Sequence, residues 1–153
     1  MVLKHIIIGQ NAKEALKYID KVEAIQAKGL KGDRYYYKKG TFNKPQLDQS
    51  MREVTIIPYE SLLECNNRIN AKLDFLDLRR NLVIKDFDYE KLKDKEFCIG
   101  EAIFKIVRTA PPCKYLSKLL NQDMMTGLKY IGGYRADIIK SGFICVDDEV
   151  KIN

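Results

Sequence analysis

The sequence predicts a mainly β domain with a few short helices, folded as a small β-barrel. Two observations predict it. Short β-branched or aromatic runs recur along the chain, each bounded by glycine, proline or polar turn residues. Stretches with helical spacing are few and short. A chain of 153 residues, 46% hydrophobic and 31% charged, has enough apolar material for one core, so residues 1–153 read as a single domain.

The elements follow in order. Val2–Ile8 is β-branched and stops at Gly9, a strand. Ala12–Ile19 carries weak helical spacing. Val22–Ala27 alternates and reads as a strand, and Gly29-Leu30-Lys31-Gly32-Asp33 is turn-rich. Tyr35–Gln49, polar and aromatic with Gly40 and Pro45, reads as a long loop, a length often tied to function. Val54–Ile57 is a strand halted by Pro58. Tyr59, Leu62, Leu63, Ile69 and Leu73 recur at helical spacing, which predicts a helix over roughly Glu60–Ala71. Leu82–Ile84 is a strand. Phe97–Ile99 and Ala102–Val107 form a hairpin turned at Gly100-Glu101. Lys114–Leu120 is a short helix. Arg135–Ile139 and Phe143–Val146 are strands joined by Ser141-Gly142, and Glu149–Ile152 ends the chain.

Composition narrows the function classes. No apolar run is long enough to span a membrane, and Ile6-Ile7-Ile8 is too short for a signal-peptide core, so a cytoplasmic location is expected. Cys65, Cys98, Cys113 and Cys145 are separated by 33, 15 and 32 residues, so no close pair makes a zinc knuckle or a dithiol motif. A reducing compartment implies four free thiols. Cys65, Cys98 and Cys145 have apolar neighbours and read as core residues.

The net charge is +6, and most of the excess lies in residues 1–59. It concentrates in Lys28–Gly40, where Lys28, Lys31, Arg34, Lys38 and Lys39 face only Asp33. Such a run is ordinarily a solvated loop, and its sharper reading is an anion site. The domain is only moderately basic, so nucleic acid is not expected as a partner.

Cys113 stands apart from the other cysteines. It follows Ala110-Pro111-Pro112, which must end a strand because proline has no N–H to donate. A helix is predicted to begin just after it, and a thiol at that place, beside Lys114, is favoured as the thiolate. The alternative is a small residue filling a corner. Arg34, Arg79, Arg80, Arg108 and Arg135 all fall at strand ends or turns, where arginine is usually a surface residue. Its planar fork also suits oxyanions. Arg80-Asn81 is unusual, being polar just before an apolar strand. His5, the single histidine, lies in an apolar strand, and a histidine-rich metal site is excluded.

Taken in order, the pieces resemble the MOSC family, named for the C-terminal domain of molybdenum cofactor sulfurases. They are Gly29-Leu30-Lys31-Gly32-Asp33-Arg34, Arg52-Glu53-Val54-Thr55-Ile56-Ile57 with Glu60, and Leu78-Arg79-Arg80-Asn81-Leu82-Val83-Ile84. Then come Phe97-Cys98-Ile99-Gly100, Arg108 with Pro112-Cys113-Lys114-Tyr115-Leu116, Tyr134-Arg135-Ala136, and Ser141-Gly142-Phe143-Ile144 leading to Asp148. The resemblance covers roughly residues 22–152. Asp147 stands where many relatives have glycine before the late aspartate.

The resemblance implies a closed β-barrel. It implies that Cys113 carries sulfur as a persulfide or ligates molybdenum in the pterin cofactor (molybdopterin), with Lys31, Arg34, Arg80, Asn81, Arg108 and Arg135 as anchors for that anionic cofactor. The expected partners are the pterin cofactor or sulfur donor and acceptor proteins, such as cysteine desulfurase or molybdenum cofactor biosynthesis proteins. Pyridoxal phosphate, used by a desulfurase domain fused to some relatives, has no basis in these residues. Three readings stay open. The first is a sulfur-carrier or cofactor-binding domain. The second is a molybdenum-cofactor-dependent reductase of N-hydroxylated compounds with a separate electron donor. The third is a non-catalytic RNA-binding barrel using Lys28–Lys39 and Tyr35-Tyr36-Tyr37.

Overall fold

The computed structural model describes residues 1–11, 14–37 and 53–153. The predicted loop beyond Tyr37, together with Lys38, Lys39 and Arg52, lies outside them, as does Ala12. Eleven strands and five helices run in the order β1 (Val2–Ile8), β2 (Lys17–Ile19), β3 (Lys21–Ile25), β4 (Gly29–Leu30), β5 (Val54–Pro58), α1 (Glu60–Ile69), α2 (Phe75–Leu78), β6 (Leu82–Lys85) and α3 (Tyr89–Leu92). They continue with β7 (Glu96–Ile99), β8 (Ala102–Thr109), α4 (Lys114–Leu120), α5 (Met124–Gly127), β9 (Tyr134–Lys140), β10 (Gly142–Cys145) and β11 (Val150–Ile152) among the described residues.

The mainly β class agrees with the sequence; the closed barrel does not. The strands form an open eight-stranded sheet, β11-β7-β8-β9-β5-β6-β1-β2, and a three-stranded sheet, β10-β3-β4. Closure needs a ladder between the outermost strands, and among the described residues β2 and β11 share none. The nearest approach is one isolated bridge, Val2 to Glu149, with backbone bonds from Leu3 N to Asp148 O (2.9 Å) and Val150 N to Met1 O (2.9 Å). The large sheet is also mixed: β5 and β6 run parallel, joined through α1 and α2, while its other pairs are antiparallel.

Both faces of this part of the sheet are covered, so the apolar runs of β5, of β6 and of Ile6–Ile8 in β1 set alternate residues against two different cores. Leu3, Ile6, Ile56, Leu82 and Ile84 face the core shared with Phe97, Phe104 and Ile138. Ile7, Ile57 and Val83 face the helical side, where Cys65, Phe75, Leu78, Leu116, Met124 and Leu128 pack. The helical spacing of Ala12–Ile19 does not persist: Lys17–Ile19 pairs antiparallel with Ile6–Ile8, whose edge hydrogen bonds override a weak helical pattern. The hairpin of β7 and β8 and the helices α1 and α4 stand where the pattern put them. β9 and β10, consecutive in sequence, belong to different sheets, β10 pairing with β3.

All four cysteines are free. Only Cys65 is a core residue. Cys98 and Cys145 are half-buried, and the Cys98 thiol reaches Asn153 Oδ1 at 3.5 Å, so their apolar neighbours in sequence do not enclose them. Among the described residues no helix is long and apolar enough to cross a membrane.

Candidate functional site

The chain enters the site from β8. Ala110 N still donates to Gly133 O at 2.8 Å, and then Pro111 and Pro112 offer no donor, so the segment leaves the sheet. Cys113 follows in extended conformation (φ −126°, ψ 158°) as the N-cap of α4. Its carbonyl accepts from Leu116 N (3.2 Å) and Ser117 N (3.4 Å), while its side chain makes no capping bond. Serine or aspartate here would bond a free helix N–H and stabilise the helix by about 0.5–2 kcal/mol. The cysteine forgoes that, and its thiol lines a cleft instead.

The cleft is lined by Cys113, Pro111 and Tyr115 on one side and by Arg34, Tyr35, Arg79 and Arg80 on the other. Arg80 is only 8% exposed. Its Nε donates to Gly132 O (2.9 Å) and its Nη2 to Ala110 O (2.8 Å). It thereby ties the segment that precedes Cys113 to the Gly132-Gly133 turn. Gly133 needs its freedom: φ is +98°, and a Cβ would collide with the Ile56 carbonyl.

Arg34 is buried as well. Its Nη1 pairs with Asp33 Oδ1 at 3.1 Å and its Nη2 donates to Arg79 O at 3.2 Å. Asp33 is held in turn by the N–H groups of Gly9 (3.1 Å) and Tyr35 (3.2 Å). The Tyr35 ring lies between two guanidiniums, Arg34 at 4.6 Å and Arg135 at 5.9 Å from its centroid. Arg79 sits in the left-handed region (φ 56°) at the end of α2 and donates to Glu14 O at 2.8 Å.

Charge inside this cluster is unbalanced. Burial pushes the Arg80 guanidinium down to about 10, with the Arg135 charge acting the same way and Tyr35 and Cys113 opposing them. Burial and the neighbouring Arg34 lower Arg79 as well. Arg80 is still the cation at neutral pH, and among the described residues no carboxylate forms an ion pair with it. A buried cation without a counter-charge is costly, and an anion in the cleft relieves the cost.

The structure brings together Cys113, Arg34 and Arg80, with Arg135 behind Tyr35. It does not bring Lys31 or Arg108 to the cleft; both are exposed. Arg108 pairs in register with buried Arg135, but the strand is irregular between Ile106 and Arg108. Asn81 adjoins Arg80 in sequence, yet its amide is occupied within the sheet. Its Oδ1 accepts from Thr55 N (3.0 Å) and Thr55 Oγ1 (3.1 Å), and its Nδ2 donates to Ile7 O (3.1 Å). Arg79 and Tyr35 are cleft residues missing from the expected anchors, Arg79 having been grouped with arginines that are usually on the surface, and Tyr35 lying in a loop that the family resemblance sets beside the cysteine. The available signal for Arg79 is the Asp74–Asp77 capping box, which starts a one-turn helix that ends at Arg79 in the left-handed region. His5 packs among Tyr18, Tyr59 and Phe75, outside the cleft lining.

For a metal, among the described residues no group of three or more His, Cys, Asp or Glu side chains is placed to hold an ion. The donor set nevertheless fits the metal end of an anionic cofactor that brings its own ligands: one thiol for a soft metal and guanidiniums for its negative charge. The void measures about 40 Å³. A water needs roughly 10–15 Å³ by this measure, so the enclosed part of the cleft has room for a sulfur atom or a small oxyanion.

Fold and site together define a mixed-sheet domain that presents one cysteine to an arginine-lined cleft. The MOSC domain model matches residues 30–151, and the chain belongs to the MOSC domain family, which is associated with molybdenum cofactor proteins. Among solved structures it is similar to the YuaD protein of Bacillus subtilis, with a TM-score of 0.80 and 17% identity, covering 99% of this chain and 96% of that one. It is also similar to YiiM of Escherichia coli (TM-score 0.70, 16% identity, 100% and 70% covered) and YiiM of Geobacillus stearothermophilus (TM-score 0.71, 10% identity, 99% and 75% covered). Identities this low speak for the fold alone. No curated protein matches the chain.

Proposed function

We propose that this domain is a cytoplasmic sulfur carrier serving the molybdenum cofactor, with Cys113 as the residue that holds the sulfur. The observation that carries this reading is the position of the Cys113 thiol on a small cleft beside the buried Arg80, which among the described residues has no carboxylate partner. A persulfide is more acidic than a thiol and is anionic at neutral pH, so the arginine cluster favours the loaded form. Loading needs no external oxidant. The Cys113 thiolate attacks the outer sulfur of a donor persulfide, a new S–S bond forms on Cys113, the donor's S–S bond breaks, and the donor leaves as its thiolate. A cysteine desulfurase is one kind of donor able to supply such a persulfide, and a molybdenum cofactor biosynthesis protein the kind of acceptor.

When bound, the cofactor supplies a soft metal centre that takes up sulfur. The chain's own contribution is the Cys113 thiolate together with Arg34, Arg79 and Arg80, which would hold anionic groups at the mouth of the cleft.

Anaerobic purification, followed by cyanide-labile sulfur, molybdenum and pterin analysis, tests the proposal. The expected result is one labile sulfur per chain, absent from Cys113→Ser. A tightly held pterin with stoichiometric molybdenum, and reduction of an N-hydroxylated base given a separate electron donor, would support the reductase instead.

A further inference from the structure

The cleft also says which small molecule can load it. A protein persulfide brings at most a single negative charge on its sulfur, and one such charge does not call for three guanidiniums. Arg34, Arg79 and Arg80 all line a void of about 40 Å³ whose wall includes the Cys113 thiol. Arg34 has spent both outer nitrogens, one on Asp33 and one on the Arg79 carbonyl. Arg80 has spent Nε and Nη2 on carbonyls, and among the described residues its Nη1 makes no hydrogen bond. It is thus a nine-tenths-buried cation with an unused donor on the cleft, lacking a carboxylate partner. That arrangement suits a compact dianion with several acceptor oxygens.

We propose that Cys113 takes its sulfur directly from a small sulfur oxyanion bearing a sulfane sulfur, of which thiosulfate is the simplest, and that Arg79 and Arg80 bind its sulfonate end. This rests on the sulfur-carrier reading and adds the donor to it. The step balances. The Cys113 thiolate attacks the outer sulfur of thiosulfate, the Cys113 S–S bond forms, the thiosulfate S–S bond breaks, and its electron pair leaves with sulfite. Sulfane sulfur moves without any net oxidant or reductant. The guanidiniums serve twice: they admit the dianion to a nucleophile that is itself negative, and they stabilise the charge that gathers on the departing sulfite. The mutual repulsion of Arg79 with Arg34 and of Arg80 with Arg135 is relieved by the incoming anion.

The test is single-turnover loading of the reduced full chain with thiosulfate, read as one added sulfur on Cys113 by intact mass and as one equivalent of sulfite released. Arg79→Gln, the variant least entangled with the core, is expected to slow loading about tenfold, the worth of one charge-assisted bond. Its rate with iodoacetamide, an uncharged electrophile, is expected to change far less. Sulfate should compete with thiosulfate and not with iodoacetamide. Cys113→Ser should release no sulfite. If a cysteine desulfurase with cysteine loads Cys113 and thiosulfate does not, the oxyanion donor is wrong and the carrier reading survives. If neither loads it, both fall. Equal slowing of thiosulfate and iodoacetamide in Arg79→Gln would mean that Arg79 acts on the thiol and not on the anion.

Discussion

Replacing Asn81 by alanine separates a ligand contact from a structural one. In the structure the Asn81 amide links three strands: its oxygen accepts from the Thr55 N–H and hydroxyl of β5, and its nitrogen donates to the Ile7 carbonyl of β1. Asn81 and Thr55 are fully buried and Ile7 almost so, so water cannot replace the amide. Alanine leaves the Thr55 N–H and the Ile7 carbonyl without that partner; the Thr55 hydroxyl still accepts from the Asn81 backbone N–H at 2.9 Å. At about 1–3 kcal/mol for each orphaned group, the loss is about 2–6 kcal/mol. A domain of this size has only about 5–15 kcal/mol in total. Urea unfolding followed by circular dichroism should show the midpoint falling by about 1–3 M with the slope unchanged, for a slope of about 2 kcal/mol per molar. A loss below about 1 kcal/mol, accompanied by weakened anion binding at Cys113, would refute the structural role and return Asn81 to the cleft.

Other outcomes follow from single contacts. Gly133→Ala should destabilise the domain by several kcal/mol in thermal unfolding, since it combines a positive φ with a collision at the Ile56 carbonyl. Limited alkylation near neutral pH should label Cys113 first and Cys65 last, because burial excludes reagent from Cys65 and pushes its thiol pKa up; faster labelling of Cys65 would contradict the packing. Thiol counting on the unfolded, unreduced chain should find four. The Tyr18 hydroxyl, which donates to Asp74 Oδ1 at 2.5 Å, holds the Asp74 carboxyl below its ordinary value, helped by the Leu76 N–H. A depressed carboxylate contributes stability above its unfolded pKa and loses it as pH falls through the folded one. Stability should therefore decline in acid below about pH 4, and Asp74→Asn should flatten that part of the profile; an unchanged slope would show the bond to be idle.

Local pattern carried the elements that stand on one segment. The spacing of Tyr59, Leu62, Leu63, Ile69 and Leu73 marked α1, and the donor-free Pro111-Pro112 marked the exit from β8 toward α4. Sheet closure was not legible, because whether β2 meets β11 depends on twist accumulated over eight strands and on no residue in particular. The three one-turn helices are too short for periodicity, and only the Asp74–Asp77 capping box announces one of them. Within the candidate site, Cys113 could be singled out because its surroundings are local. The arginines could not be sorted by sequence: Arg80 and Arg135 are buried while Arg108, paired with Arg135, is exposed, since an irregularity in β8 breaks the alternation there. Asn81 looked like a ligand for the same reason that makes it a cross-strand link: it is a polar residue entering a buried strand.

The open sheet has a consequence for how the molecule behaves in a crowd. Among the described residues neither outer strand has a ladder partner on its outer side, the usual setting for strand-to-strand aggregation. Each is three residues long, and each carries an exposed lysine: Lys17 on β2, Lys151 on β11. A neighbouring chain that docks on either edge finds few bonds to make and must desolvate a charge to make them. Lys17 and Lys151 thus make each edge a poor template for a second copy of the chain.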